Sequence, residues 1–223
     1  VTTFVLIHGA QDSAWSWHLV EAVLREHGHG VVAVDLPSED DKATWNEYAD
    51  TVGEAIGDLT DLVVVGHSLG GFTAPLVAER TGADLIVFVA GMIPRPGESA
   101  NEWWTGTGFT ELVRAPGEGE DEEALFYHDV PPELAAEAQR RVRIQQETPM
   151  DQPWPLERWP SIPSRALIGR DDRFMPEEWS RRVAKARLGV EADAIDGGHC
   201  LPLSRPREVA DWLERYAAAV RGR

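Results

Sequence analysis

Continuous apolar runs alternate with helix-spaced stretches along most of this chain, and the runs end at turn signals. Thr3-Phe-Val-Leu-Ile7 leads into His8-Gly9, Val31-Val-Ala-Val-Asp35 into Leu36-Pro37, and Leu62-Val-Val-Val65 into Gly66. Asp84 to Val89 has the same composition. Such runs read as strands buried on both faces, because a half-solvated strand would alternate apolar with polar residues. Helical spacing fills the gaps. One helix runs from about Ser16 to His27 and is stopped by Gly28 and Gly30. A second starts from an N-cap at Thr44, with Glu47 at the capping-box position, and runs to about Gly57. A third, amphipathic helix follows Gly71 and ends near Arg80.

The alternation breaks at Met92. From there to about Pro160 no strand is convincing, and one good helix spans about Pro132 to Glu147. Regular alternation resumes with a strand at Ser164–Ile168, a helix at Pro176–Leu188, a short strand near Val190–Ile195 and a helix at Pro206–Val220. The expected fold class is α/β: about six mostly parallel strands with helices on both faces. Residues 1–223 then form one domain. The segment at about 92–160 is too long for a structureless loop and is expected to form a helical cap.

Composition narrows the picture without redirecting it. The chain has 223 residues, 43% hydrophobic and 26% charged, with no apolar run long enough to span a bilayer. Cys200 is the lone cysteine, so no internal disulfide can form. Val1–Ile7 reads as a core strand rather than a cleavable leader, and the two features together suit a cytoplasmic protein. A formal charge of −17 argues against nucleic acid or an anionic membrane as partner. The expected partner is a small molecule, with a homodimer left open. Part of the acidity sits in Glu118-Gly-Glu-Asp-Glu-Glu123, which reads as a solvated loop or first helical turn.

The chemistry lies at the strand ends. Gly66-His67-Ser68-Leu69-Gly70 follows a Val-rich strand and precedes a helix, which is the setting of the G-x-S-x-G elbow. Glycines two positions to either side of Ser68 remove side chains that would collide at so sharp a turn, and the hydroxyl is left at a helix N-terminus. Serine needs a base to act as a nucleophile. Only His128 and His199 follow it in the chain. His128 falls in the cap and reads as a surface residue. His199, in Asp196-Gly-Gly-His199-Cys200, follows the last strand and is the expected base, since imidazole titrates near neutrality. The acid that orients it should follow Ile168, where Gly169-Arg-Asp171-Asp172-Arg-Phe-Met-Pro176 offers two aspartates. Asp172 has the favoured spacing, and Asp171 would then make structural hydrogen bonds or pair with Arg170 or Arg173. Backbone N–H groups of Leu69 and Ala10 are the candidate oxyanion donors. No metal-ligand spacing is credible among the histidines, and no cofactor is implied.

These residues resemble the α/β-hydrolase superfamily across essentially the whole chain. The likeness is greatest to its small branch of plant methyl-ester esterases and hydroxynitrile lyases. It is carried by Phe4-Val-Leu-Ile-His-Gly-Ala10 with Trp15-Ser-Trp17, Gly66-His-Ser-Leu-Gly-Gly71, Val87-Phe-Val-Ala-Gly-Met92 and Gly197-Gly-His199. The resemblance implies the α/β-hydrolase fold and a Ser68–His199–Asp172 triad that cleaves a carboxylic ester through an acyl-enzyme. The lyases of that branch carry a threonine at the place of Gly9 and a lysine at the place of Cys200, so the resemblance implies an esterase rather than a lyase. Cys200 itself reads as a small packing residue beside the base. A loop likeness around Gly169–Phe174 to hydrolases of carbon–carbon bonds keeps that activity as an alternative. A slow ligand receptor of the same fold is another.

Nine tryptophans are present, and Trp103, Trp104, Trp154 and Trp159 fall in the cap. Cap aromatics facing Ser68 would make an apolar pocket, or they would only seat the cap on the core. Trp15, Met92, Trp103, Trp104 and Phe174 are the expected substrate contacts, with Phe109 a further candidate for the wall.

Overall fold

A computed structural model describes residues 1–112 and 122–222. β1 (Thr3–Ile7) is followed by a 3-10 turn at Ala14–Trp17, α1 (His18–Glu26), β2 (Gly30–Ala33) and α2 (Trp45–Ile56). Next come β3 (Leu62–His67), α3 (Gly70–Thr81) and β4 (Leu85–Val89). Between β4 and the next strand the described residues form only helices. These are α4 (Ala100–Gly106), α5 (Phe109–Leu112), α6 (Glu122–Phe126), α7 (Pro132–Arg140) and α8 (Thr148–Asp151). The chain closes with β5 (Ser164–Gly169), α9 (Glu177–Leu188), β6 (Asp193–Ile195), α10 (Leu201–Ser204) and α11 (Pro206–Arg221). Residues 118–121 of the acidic run lie outside the described residues.

The six strands form one parallel sheet in the order β2-β1-β3-β4-β5-β6. Period-2 alternation sorts the strand residues between two cores. Val5, Ile7, Val64, Phe88 and Ile168 pack under α2, α3 and α9. Phe4, Leu6, Val65, Val87 and Leu167 pack under α1 and α11. Both faces are covered, which is why the strands carry no polar alternation. The order reverses between β1 and β3, so their following loops diverge and leave a crevice at the carboxyl ends.

Local chemistry explains the element ends. Thr44 caps α2: its hydroxyl accepts the Asn46 N–H at 3.2 Å, and the Glu47 carboxylate accepts the Thr44 N–H at 2.8 Å. Three expectations change. The helix from Pro132 stops at Arg140, and the chain beyond it is drawn into bonds with core loops: Arg143 N–H to the Gln11 carbonyl at 3.0 Å and Gln146 N–H to the Ser38 carbonyl at 2.9 Å. β2 ends at Ala33 rather than Asp35, whose carboxylate instead accepts the Ala14 N–H at 2.8 Å. Finally, α3 is not amphipathic. Gly70 to Ala78 is buried throughout, since Trp45 stacks on Phe72 and Trp154 donates its indole N–H to the Phe72 carbonyl. No helix among the described residues is long and apolar enough to cross a membrane.

Candidate active site

Ser68 sits between β3 and α3 with φ at 48°, in the left-handed region that a serine adopts only when its surroundings enforce it. The enforcement is visible. The N–H groups of Gly71 and Met92 both donate to the Ser68 carbonyl, at 3.0 and 2.9 Å. A Cβ on Gly66 would come within 2.6 Å of the Gly70 carbonyl, and one on Gly70 within 2.6 Å of the His8 carbonyl. The elbow glycines are therefore close-approach positions.

His199 reaches this serine from the loop after β6. Its Nδ1–H donates to Asp172 Oδ2 at 2.9 Å, because an ionised carboxylate can only accept. That leaves Nε2 bare, 3.1 Å from Ser68 Oγ and able to accept the hydroxyl proton. Asp172 Oδ1 accepts the Phe174 and Met175 N–H groups, each at 2.8 Å. Both oxygens of this buried carboxylate are satisfied, and the side chain is locked. Phe126 and Phe174 lie edge-on to the imidazole with centroids at 5.6 and 5.1 Å, and they hold the ring in an apolar slot.

Of the two adjacent aspartates, only Asp172 points inward; Asp171 is exposed. Of the two expectations for Asp171, structural hydrogen bonds hold and pairing with an arginine does not: its N–H donates to the Gly197 carbonyl at 3.0 Å and its carbonyl accepts from His128 at 3.0 Å. Arg170 instead binds Asp196 at 2.6 Å, and Arg173 donates to the Ala124 carbonyl at 2.9 Å.

The β1 loop closes the other side of Ser68. A Cβ on Gly9 would meet Ser68 Cβ at 3.0 Å, so this backbone abuts the serine. Leu36 N–H donates to His8 Nε2 at 2.9 Å, which fixes the proton on Nδ1, and Nδ1–H donates to the Gly9 carbonyl at 2.8 Å. A trans peptide sends its C=O and N–H in opposite directions, so this bond turns the Ala10 N–H away from His8. Burial pushes His8 down to about 4 and His67 down to about 3, so both stay neutral at physiological pH. His67 donates its Nε2–H to the His199 carbonyl at 3.0 Å.

A cavity of about 190 Å³ opens over Ser68, and Ala10 and Leu69 lie in its wall. Of the expected contacts, Met92, Trp104 and Phe174 line it. Trp15, Trp103, Phe109, Trp154 and Trp159 do not. Trp15 stacks on His18 under the Arg141 guanidinium. Trp103 is fully buried between Trp104 and Trp179, with its indole N–H on the Ile93 carbonyl at 2.9 Å. These two are therefore corrections to the expected pocket: they bind the turn and the cap to the core. Asp12, Phe126, Gln139 and Met150 line the cavity and were not expected there. Phe126 precedes His128, and its helical neighbourhood held no motif to flag it.

His128 and Asp129 were also missed. His128 Nε2–H donates to the Asp171 carbonyl at 3.0 Å, and Asp129 Oδ2 accepts the Gly198 N–H at 2.9 Å. Two adjacent cap residues thus grip the loops that carry Asp172 and His199. Among the described residues no group of three His, Cys, Asp or Glu side chains could hold a metal ion.

An elbow serine, an oriented imidazole and a parallel sheet ending in one crevice define a hydrolase site. Residues 4–212 match the model of the alpha/beta hydrolase family, and the chain belongs to that family. It is a hydrolase related to plant methylesterases. Esterase PIR7B of Oryza sativa subsp. japonica is 28% identical over 255 residues, covering 96% of this chain and 95% of the relative. Methylesterase 3 of Arabidopsis thaliana is 34% identical over 113 residues, covering 45% and 43%. The crystal structure of polyneuridine aldehyde esterase superposes with a TM-score of 0.83 at 23% identity, over 97% of this chain and 99% of that one, and so shares the fold.

Proposed function

We propose that the protein is a serine carboxylesterase that cleaves small, largely apolar esters through an acyl-enzyme. The observation that carries this reading is the continuous relay from Ser68 Oγ through His199 to Asp172, with steps of 3.1 and 2.9 Å. His199 Nε2 takes the Ser68 proton as Oγ attacks the ester carbonyl, and Asp172 stabilises the imidazolium. The oxyanion develops toward the Ala10 and Leu69 N–H groups. His199 then protonates the leaving alkoxide. A water, deprotonated by the same nitrogen, attacks the acyl-enzyme and releases the acid. Neutral His8 and His67 add no positive charge that would oppose the imidazolium.

Relatives named as methylesterases and as methyl jasmonate esterase support an ester substrate, and the aromatic walls support an apolar one. Cys200, whose thiol is pushed well up by burial and then by Asp12, is neutral and cannot supply the cation of a lyase site. Steady-state hydrolysis of short-chain methyl and aryl esters tests the proposal. Activity is expected in the intact protein and a loss of at least about 10³-fold in Ser68→Ala. Undiminished turnover in that variant overturns the assignment.

A further inference from the structure

Among the described residues, the cavity over Ser68 holds one carboxyl group that the triad does not use, that of Asp12. Gln11, in the left-handed region at φ 58°, turns the chain just beyond Ala10, and the cap holds this turn through Arg143 N–H on the Gln11 carbonyl at 3.0 Å. The turn places the half-buried Asp12 in the cavity wall. Its Oδ1 accepts the Ser13 N–H at 2.8 Å. Burial pushes the carboxyl up to about 6, against the Ser13 N–H and the Ser16 hydroxyl, which pull it down. The anion is therefore the main form only above about pH 6.

Among the described residues no cationic side chain in the wall neutralises that charge. No lysine or arginine among them lines the cavity. Its two histidines are His67, which burial keeps uncharged, and His199, which is committed to Asp172. The remaining wall is mainly apolar, with Leu69, Met92, Trp104, Phe126 and Phe174. Low-dielectric walls around a carboxylate with no ionic partner among the described residues focus its field into the space where substrate must sit.

We propose that Asp12 is a specificity-determining residue that sorts esters by charge. The site favours a substrate bearing a quaternary or protonated amine near the ester, admits its neutral isostere, and rejects one bearing a second carboxylate. The same field repels the carboxylate product and so favours its departure. This inference rests on the esterase reading of the site.

Two substrate series test it. The first carries charge on the acyl side: methyl 3-(trimethylammonio)propanoate, methyl 4,4-dimethylpentanoate and monomethyl succinate. The second carries it on the alcohol side: acetylcholine, 3,3-dimethylbutyl acetate and 3-acetoxypropanoate. Each is compared between the intact protein and Asp12→Asn, which keeps the size and the acceptor for Ser13 N–H. Intrinsic reactivity cancels between the two proteins. The cation-to-anion ratio of kcat/KM is expected to fall about tenfold or more in Asp12→Asn in at least one series, as removal of a unit charge from a partly screened site requires. The same compounds are titrated into Ser68→Ala and Ser68→Ala/Asp12→Asn by isothermal calorimetry, which reads charge preference without turnover. Hydrolysis of the neutral esters that is absent, or is unchanged by Ser68→Ala, would refute the esterase reading alone. Ratios unchanged within twofold in both series, together with the same binding order in both serine-free proteins, overturn the role of Asp12.

Discussion

Gly198 is the point at which the cap meets the loop that carries His199, and Gly198→Ala isolates that contact. Its φ is not in the left-handed region, so alanine meets no conformational penalty and the effect is steric. The added methyl would lie 2.7 Å from Asp129 Oδ1 and 2.7 Å from His128 Nε2. Both are side-chain ends and can move, but each is held in a hydrogen bond. Moving Asp129 breaks its bond to Gly198 N–H, and moving His128 breaks its bond to the Asp171 carbonyl. A bond to a charged acceptor contributes about 1.5–3 kcal/mol and a neutral one about 1. The expected loss of stability is therefore about 2–4 kcal/mol. If the loop yields instead, His199 shifts. A displacement of about 1 Å at a reacting group costs on the order of 100-fold in kcat. Urea unfolding and steady-state kinetics on the same sample divide the effect between the two routes. Asp129→Ala should relieve part of the clash, so the double variant should be less impaired than the two single effects summed. A Gly198→Ala protein within 0.5 kcal/mol and twofold in kcat of its parent (a threshold of about the usual error of such measurements) would refute the grip of the cap on this loop.

Other consequences are checked more simply. Trp103→Ala should cost about 3–5 kcal/mol of stability, measured by denaturant unfolding, because it empties a fully buried site. Trp104→Ala should chiefly raise KM for bulky acyl groups, since Trp104 forms cavity wall. Acid should weaken the fold early. The His8 and His67 values fall below the 6.5 of an unfolded histidine, so the stability they allow is present above pH 6.5 and is lost as pH falls toward 4. Asp12, raised to about 6, works the other way, because the native state gains its proton first as pH falls through 6. Together these give a loss of about 2–3 kcal/mol between pH 7 and 5, readable by urea titration at the two pH values. A flat or rising profile would contradict the buried neutral histidines.

Much of the fold was legible because its signals are local. Continuous Val- and Ile-rich runs bounded by glycine and proline marked the strands, and the Thr44–Glu47 capping box marked the start of α2. The helix expected to reach Glu147 failed beyond Arg140 because its pattern said nothing of distant acceptors. The Gln11 and Ser38 carbonyls claim the N–H groups of Arg143 and Gln146. His128 looked like a surface residue for the same reason, since its partner lies 43 residues away.

The places of Ser68 and His199 in the fold could be read from the sequence alone, because an elbow between strand and helix and a loop after the last strand are positions along the chain. That Asp172 and not its neighbour turns inward, or that Trp104 faces the cavity while Trp103 is sealed behind it, could not be read in this way. Consecutive residues share composition and propensity, and they point in different directions only once an element is docked. Asp12 belongs to this second group. Its charge is plain in the sequence, but its place in the cavity wall is decided by a left-handed turn at Gln11 and a hydrogen bond from the cap.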